Sequence, residues 1–468
     1  LSDKSTALLK LEFRRALGDI LTRVSSCAKP CRPVTSIALA YSGGLDSSAL
    51  LQLAHDYAQE AGITLFAFHI HHGLSVNADT WAQHCEAQCA ALGIQFEARR
   101  IDLAGMQKSG TEEAARNGRY AALGALCAQH EVPLLLTAHH EDDQAETVFL
   151  QLLRGSGVAG LSGMDMSNAA PDLLAHPTLI MGRPLLGVAR AQLDAFVAAQ
   201  QIAYVDDESN TDPRFARNAL RHQVMPVIAA LFPGYAQRFA RTAQHAQSAQ
   251  RLLIDLAAQD LVDCLDGDCI VLERLRLLGS ERIDNLLRYW FGSRRMRMPS
   301  TAWLSEMRSQ LLEAKADAQL CVSHPDGHIR RHRDRVYLTP KQTIDPEMVD
   351  PEPFRWEGQG AIAFSQFGGT LHFEPAAHGL PVDWLRAQQL ELRYRSGGER
   401  LKLAPNRPTK NLKHLCQALD IPAWERETLI IVATAKQALY ASGIGMDCHH
   451  ALDDSGGHII FRWQPDAV

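Results

Sequence analysis

The feature that most restricts the fold is an apolar segment that ends in a glycine loop and passes directly into a helix-compatible run. Ile37-Ala38-Leu39-Ala40 leads into Tyr41-Ser42-Gly43-Gly44-Leu45-Asp46-Ser47-Ser48, followed by Ala49-Leu50-Leu51. Two adjacent glycines allow a tight turn with exposed N–H groups, and a helix amino terminus behind them adds positive dipole, so the loop is an anion cradle. A Walker A loop would end in Gly-Lys-Ser/Thr to hold the outer phosphates, and this loop carries no lysine. Transfer of a terminal phosphoryl group is therefore disfavoured.

The surrounding pattern supplies the context that such a loop needs. Apolar runs at Ser36–Ala40, Thr64–Ile70, Phe96–Ile101, Val132–Ala138 and Leu179–Arg183 alternate with amphipathic stretches at Ser47–Ala61, Ala78–Leu92, Thr111–His130, Asp142–Leu153 and Ala189–Gln201. Such alternation predicts βαβ units, and the fold class is α/β with a doubly wound parallel sheet. Beyond Pro226 the pattern becomes helical, with runs at Ala236–Asp263, Arg282–Phe291 and Ser300–Lys315 before a strand-like segment around His328–Leu338. Pro340–Pro353 reads as a linker, and the remainder as a small α+β domain. The expected division is residues 1–225, a mainly helical 226–345, and 354–468.

The net charge of −6 excludes a surface coated in nonspecific basic charge, while basic residues still cluster locally. The clusters are Arg294-Arg295-Met296-Arg297, Arg330-Arg331-His332-Arg333 with Arg335, and the span from Arg393 to Lys413. Each is by default a solvated face. Ten cysteines are too few for a disulfide scaffold, and the pairs Cys27/Cys31 and Cys85/Cys89 have the i,i+4 spacing of one helix face, so no metal site is expected. No apolar run is long enough to span a bilayer, which makes a cytoplasmic location the expectation and a membrane partner not.

In a doubly wound sheet, ligands sit beyond the carboxyl ends of the strands. His69-Ile70-His71-His72-Gly73 ends the second strand, which makes His71 and His72 candidate substrate or nucleotide contacts. The fourth strand ends in His139-His140-Glu141-Asp142-Asp143-Gln144-Ala145-Glu146-Thr147. There His139, Asp143 and Glu146 or Thr147 share one helix face, so Asp143 is placed to hold an ammonium group or Mg²⁺. Glu141 and Asp142 are explained by the helix dipole alone. Arg116 and Arg119 lie on the preceding helix, and Arg217 and Arg221 follow the sheet, where guanidinium groups suit bidentate phosphate contacts.

Together these segments resemble the tRNA(Ile)-lysidine synthetases, a family of the PP-loop ATP pyrophosphatase superfamily. The likeness runs through Ser42–Ser47, His71–Ser75, Arg116–Tyr120, His139–Thr147, Arg154–Gly157 with Gly160-Leu161, Arg183–Leu185, Asp207–Asn210, and Arg217-Asn218 with Leu220-Arg221. Arg395–Leu401, Lys410–Lys413 and Ile421–Arg426 extend it to the carboxyl-terminal module. The resemblance implies that ATP, with Mg²⁺, adenylates the C2 oxygen of the first anticodon cytidine in a CAU-bearing isoleucine tRNA. The ε-amine of free L-lysine then displaces AMP. It further implies ATP contacts from Ser42, Gly43, Gly44, Leu45, Asp46 and Ser47, and lysine orientation by Asp46 and Asp143. Arg119 and Arg221 would handle the activated base and phosphate. His71, His72, His139, Arg116, Arg217, Lys410 and Lys413 would contact substrate. The oligomeric state is left open, a homodimer being one arrangement. A tRNA 2-thiolation enzyme would share the loop but needs reactive cysteines or an iron–sulfur cluster, and the chain has no Cys-x-x-Cys. A nonenzymatic RNA-binding protein would have no need of both Asp46 and Asp143.

Overall fold

The computed structural model describes residues 2–27, 33–71, 73, 77–101, 111–206, 216–315, 320–341, 346–449 and 457–466. The chain forms two compact units, Leu1–Leu256 and Ala257–Val468.

The first unit opens with helix α1 (Ser2–Cys27), which sequence periodicity had not singled out. Its Leu9, Phe13, Leu17, Ile20 and Val24 fall three or four residues apart and are all buried in the main core. Then follow β1 (Ser36–Ala40), α2 (Leu45–Ala61), β2 (Thr64–His71), α3 (Ala78–Leu92), β3 (Gln95–Arg100), α4 (Thr111–Gln129), β4 (Leu134–Leu136) and α5 (Glu141–Leu153). The unit continues with α6 (Val158–Leu161), β5 (Ser167–Ala169), α7 (Pro171–Leu174), β6 (Ile180–Gly182), α8 (Arg190–Ala199), α9 (Ala216–Ala219), a π-helical turn at Leu220–Val224, and α10 (Met225–Leu231). Helix α11 (Tyr235–Cys264) begins in this unit.

The sheet order is β3-β2-β1-β4-β6-β5. Every pairing is parallel except that of β5 with β6, so a short antiparallel edge strand closes a doubly wound sheet. Ile37 and Leu39 of β1 face the layer of α1, α2 and α8. Ala38 faces the opposite layer, where α4 contributes Tyr120, Leu123 and Leu126. The strand order reverses between β1 and β4, the switch point at which such sheets open a crevice.

In the second unit, β7 (Leu265–Asp266), β8 (Cys269–Val271), α12 (Leu272–Leu275), α13 (Ser280–Ser293) and α14 (Thr301–Glu313) precede β9 (Cys321–His324), β10 (Gly327–His332) and β11 (Arg335–Pro340). These five strands form one antiparallel sheet, ordered β7-β8-β11-β10-β9, beside the helices. The strand-like segment at 328–338 is two strands, since Arg333 takes a φ of 52° and turns the chain into a hairpin. The carboxyl-terminal part is α+β: one sheet joins Glu352–Phe354, Leu390–Tyr394, Ile430–Ala433, Ala438–Ala441 and Gly445–Met446, and another joins Ala361–Phe364, Gly369–Ala376, His458–Pro465 and Leu380–Pro381. Glu352-Pro353-Phe354 pairs as a strand, so the linker reading fails at its end. Among the described residues, no helix is long and apolar enough to cross a membrane.

Candidate active site

Helix α2 starts at the phosphate loop because Gly43 takes a φ of +85°, a region open to glycine and strained for other residues. Gly44 then caps the helix in extended backbone without a side-chain hydrogen bond, leaving first-turn N–H groups for an anion. The serines shape the loop from inside: Ser47 Oγ donates to Gly44 O at 3.0 Å and lies 3.0 Å from Ser42 Oγ, and Ser48 Oγ donates to Gly43 O at 3.2 Å. From the far end of the unit, the Val205 N–H donates to Gly43 O at 2.9 Å.

Above this loop lies a cavity of about 770 Å³ at the carboxyl edge of β1, β2 and β4. Of the residues expected at the site, Ser42, Gly44, Leu45, Asp46, Ser47, His71, Arg119, His139 and Arg221 line it. Gly43 is buried beneath the loop. His72 and residues 207–210 lie outside the described residues. Lys410 and Lys413 belong to the second unit, where both are exposed.

Asp143 does not line the cavity, and the carboxylate expected to face a ligand is engaged by protein groups. Its Oδ2 accepts the His140 N–H at 3.1 Å, while the Asp143 N–H donates to His140 Nδ1 at 3.3 Å, a reciprocal cap at the start of α5. Its Oδ1 accepts from Arg217 Nη2 at 3.1 Å and Arg221 Nη2 at 2.9 Å. The same two guanidinium groups grip buried Glu146, with Arg217 Nε 2.8 Å from Oε2 and Arg221 Nε 2.6 Å from Oε1. Two acids one helical turn apart thus face two arginines one turn apart, and only Arg221 reaches the cavity wall. Glu146 is the member that sequence reading left without a role, although its i,i+3 spacing from Asp143 was visible.

Burial opposes the charge on Asp143, but His140, Arg217, His139 and Arg221 outweigh it and hold the carboxyl down at about 2. His139 is driven the other way: desolvation, reinforced by Arg183, Arg217 and Arg116 against the pull of Asp143, lowers it to about 3, and it is a neutral ring at pH 7. Its Nδ1 sits 2.9 Å from Thr137 Oγ1. Desolvation also opposes charge on His140, yet Asp46, Asp143 and Asp142 raise it above the ordinary histidine value. Its Nε2 is 3.6 Å from Asp46 Oδ2 and 3.4 Å from Asp143 Oδ2, so this imidazole stands between the two carboxylates. The other Asp46 oxygen, Oδ1, is buried without a hydrogen-bond partner. His71 Nε2 is 3.0 Å from Asp79 Oδ1 of α3 but forms no hydrogen bond with it. Arg116 and Arg119 lie 5.3 and 5.7 Å from the centre of the Tyr120 ring, Arg116 outside the cavity and Arg119 on its wall.

The PP-loop domain family matches residues 16–228, the TilS substrate binding domain residues 271–337, and the TilS substrate C-terminal domain residues 390–463. The tRNA(Ile)-lysidine synthase of Burkholderia pseudomallei (strain K96243) is 40% identical, covering 93% of this chain and 94% of the relative. This chain belongs to the tRNA(Ile)-lysidine synthase family. Within it, the enzyme of Ralstonia nicotianae is 38% identical over 95% of this chain and 96% of its own length. Among solved structures, the U34-tRNA thiolase NcsA from Methanococcus maripaludis aligns with a TM-score of 0.41 and 16% identity over 52% of this chain and 80% of that one. As in the lysidine synthase family generally, the PP-loop makes this an ATP-binding protein.

Among the described residues, no cysteine lines the cavity. Cys85 and Cys89 are free, buried in α3 and pushed up to about 12 by desolvation, the reverse of a reactive thiolate. Cys31 lies outside the described residues. Most of the arginines in the 294–297 and 330–335 clusters are engaged within the second unit. Arg294 pairs with Asp268 at 2.8 Å, Arg297 with Asp326 at 2.7 Å, Arg333 with Asp420 at 2.8 Å, and Arg335 with Asp266 at 2.5 Å. Arg331 is buried, donating to the carbonyls of Leu311, Ala314 and Arg333. Arg330 lies 5.3 Å from the Trp424 ring.

Proposed function

We propose that this chain joins L-lysine to C2 of the first anticodon cytidine of tRNA(Ile) bearing CAU, at the expense of ATP, in the cavity above the phosphate loop. The observation that carries the reading is that one cavity gathers the open loop and three cationic or polar side chains from separate elements, Arg119, His139 and Arg221. An adenylating enzyme needs a polyphosphate cradle, charge to meet the developing anion, and a separate place for the incoming amine.

In the first step the C2 oxygen of cytidine attacks the α phosphorus, the bond from the α phosphorus to the bridging oxygen breaks, and pyrophosphate leaves with that oxygen and its electron pair. In this reading Arg119 and Arg221, both on the cavity wall, stabilise the activated base and its phosphate. In the second step the lysine ε-ammonium first gives a proton to solvent, the neutral nitrogen attacks C2, the bond from C2 to oxygen breaks and AMP departs with that electron pair, and the nitrogen gives its second proton to solvent. The lysine ammonium is oriented by Asp46 and Asp143, the latter ionised at any physiological pH. Arg217 and Arg221 also bond Asp143, so in this reading lysine binding exchanges one cationic partner for another. Neutral His139 accepts or donates a single hydrogen bond at the cavity wall without adding charge.

Mg²⁺ fits the same place, since the buried, unpartnered Asp46 Oδ1 is a hard oxygen beside the cradle, and Mg²⁺ is usually held by one or two carboxylates together with substrate phosphates. When bound, it supplies charge neutralisation for the phosphates. His71 and His72 complete the nucleotide side, Arg116 and Arg217 support the substrate side, and exposed Lys410 and Lys413 contact the tRNA backbone. In this reading, residues 1–225 form the catalytic domain, and 226–345 and 354–468 the tRNA-binding domains.

The test is incubation of the protein with ATP, lysine and tRNA(Ile), followed by mass analysis of the tRNA nucleosides and of the nucleotide products. Lysidine with AMP and pyrophosphate is expected. ADP and phosphate in place of AMP and pyrophosphate would overturn the mechanism from the loop onward.

A further inference from the structure

Helices α2, α5 and α8 follow parallel strands of one sheet, so all three begin at the same edge, around the crevice between β1 and β4. Helix α8 packs along α2: Leu193, Phe196 and Val197 share a core with Ala49, Leu50 and Ala54. Its first residue, Arg190, lines the same cavity as the phosphate loop. The Arg190 N–H donates to Asp142 Oδ2 at 2.9 Å, which fixes the start of α8 against the start of α5.

Three arginines line the cavity: Arg119, Arg190 and Arg221. Arg221 is already committed to Glu146 and Asp143 through three hydrogen bonds. Arg119 belongs to the opposite layer, against the Tyr120 ring. Among the described residues, Arg190 has no carboxylate within ion-pair distance of its side chain, whereas Asp46 adds negative charge to the same cavity. A triphosphate on the loop brings several more negative charges, and a partly desolvated polyanion is held by a cation with an unsaturated guanidinium.

We propose that Arg190 binds the β and γ phosphates of ATP and stabilises the departing pyrophosphate. This rests on the adenylation reading above and adds to it the group that meets the leaving anion. Bond changes are those of the first step, and Arg190 only neutralises charge that accumulates on pyrophosphate as the α–β bridge breaks.

The discriminating measurement compares ATP, pyrophosphate and AMP binding to the intact wild-type protein, Arg190→Ala and Arg190→Lys, with thermal unfolding followed in parallel. A lost charge-assisted contact should weaken ATP and pyrophosphate binding about 10- to 100-fold, leave AMP binding unchanged, and be partly rescued by lysine. Arg190→Ala should also slow formation of adenylated tRNA in the absence of lysine. Equal weakening of AMP and ATP would mean that Arg190 only props up α8, and unchanged ATP affinity would mean that it points elsewhere; either outcome overturns the proposal. Failure of the wild-type protein to release AMP and pyrophosphate would instead strike the adenylation reading itself, so the two failures are separable.

Discussion

Replacing Gly43 with alanine should disable nucleotide binding while leaving the rest of the first unit folded. At φ +85° an L-residue is strained by about 1–2 kcal/mol. A Cβ there would also come within 2.9 Å of Cys85 Sγ and 3.0 Å of Val205 Cγ2. Neither neighbour yields easily, because Cys85 is fully buried and Val205 is β-branched and tied to Gly43 through its backbone, so overpacking adds about 1–3 kcal/mol. The sum, roughly 2–5 kcal/mol, corresponds to a loss of ATP affinity of about 30-fold or more if the loop must keep this shape to bind. Isothermal titration with ATP measures it. Gly44→Ala serves as the stability comparator, since its φ is −71° and its Cβ would meet Ser42 Oγ at an ordinary 3.5 Å. Adding Cys85→Ala to Gly43→Ala should restore the packing part and leave the conformational part, a coupling of about 1 kcal/mol. Wild-type ATP affinity in Gly43→Ala, with an unchanged unfolding midpoint, would refute the reasoning.

Asp46→Asn and Asp143→Asn should each cut lysidine formation by roughly 10²-fold or more, read by nucleoside mass analysis, with near-normal turnover removing that residue from the site. Glu146→Gln leaves two half-buried arginines sharing one carboxylate and should lower the unfolding free energy by about 1–3 kcal/mol, checked by denaturant titration. His139 is held neutral down to about 3 but ordinarily charges near 6.5, so the unfolded state binds more protons over that window. Its contribution is present above 6.5 and lost as pH falls towards 3, and His139→Gln should flatten the stability–pH curve there. Lys410→Ala with Lys413→Ala should reduce the salt dependence of tRNA affinity by about one logarithmic unit of slope per lost phosphate contact, while ATP affinity stays unchanged.

The main parallel strands, their order of appearance and the phosphate loop were legible because short continuous apolar runs and paired glycines are local signals. Helix α1 carried a readable spacing too, in Leu9, Phe13, Leu17, Ile20 and Val24, yet its polar surroundings mask it. The three-residue edge strand Ser167–Ala169 has no apolar alternation and is defined only by its neighbour Ile180–Gly182. At the site, each half of the acid–arginine cluster was visible as helical spacing, but their meeting joins residues 71 to 78 apart and is a tertiary fact. The letters of Arg330-Arg331-His332-Arg333 look uniformly basic, while alternation across the hairpin buries Arg331 among carbonyls and sends Arg333 to Asp420. Charge runs do not distinguish solvated from internally satisfied arginines.

The bond from Val205 to the phosphate loop sets an order of assembly. The neighbour that holds Gly43 in its turn arrives about 160 residues after the loop in synthesis, once α8 has emerged to pack along α2. Contacts of such long sequence separation form late, since the intervening chain must be closed before they reward it. A nascent chain that has reached only α8 thus carries every letter of the nucleotide motif without the tether that shapes it. Shaping of the loop thus waits on a residue some way beyond α8, and a chain stalled before Val205 lacks the hydrogen bond that holds Gly43 in its turn.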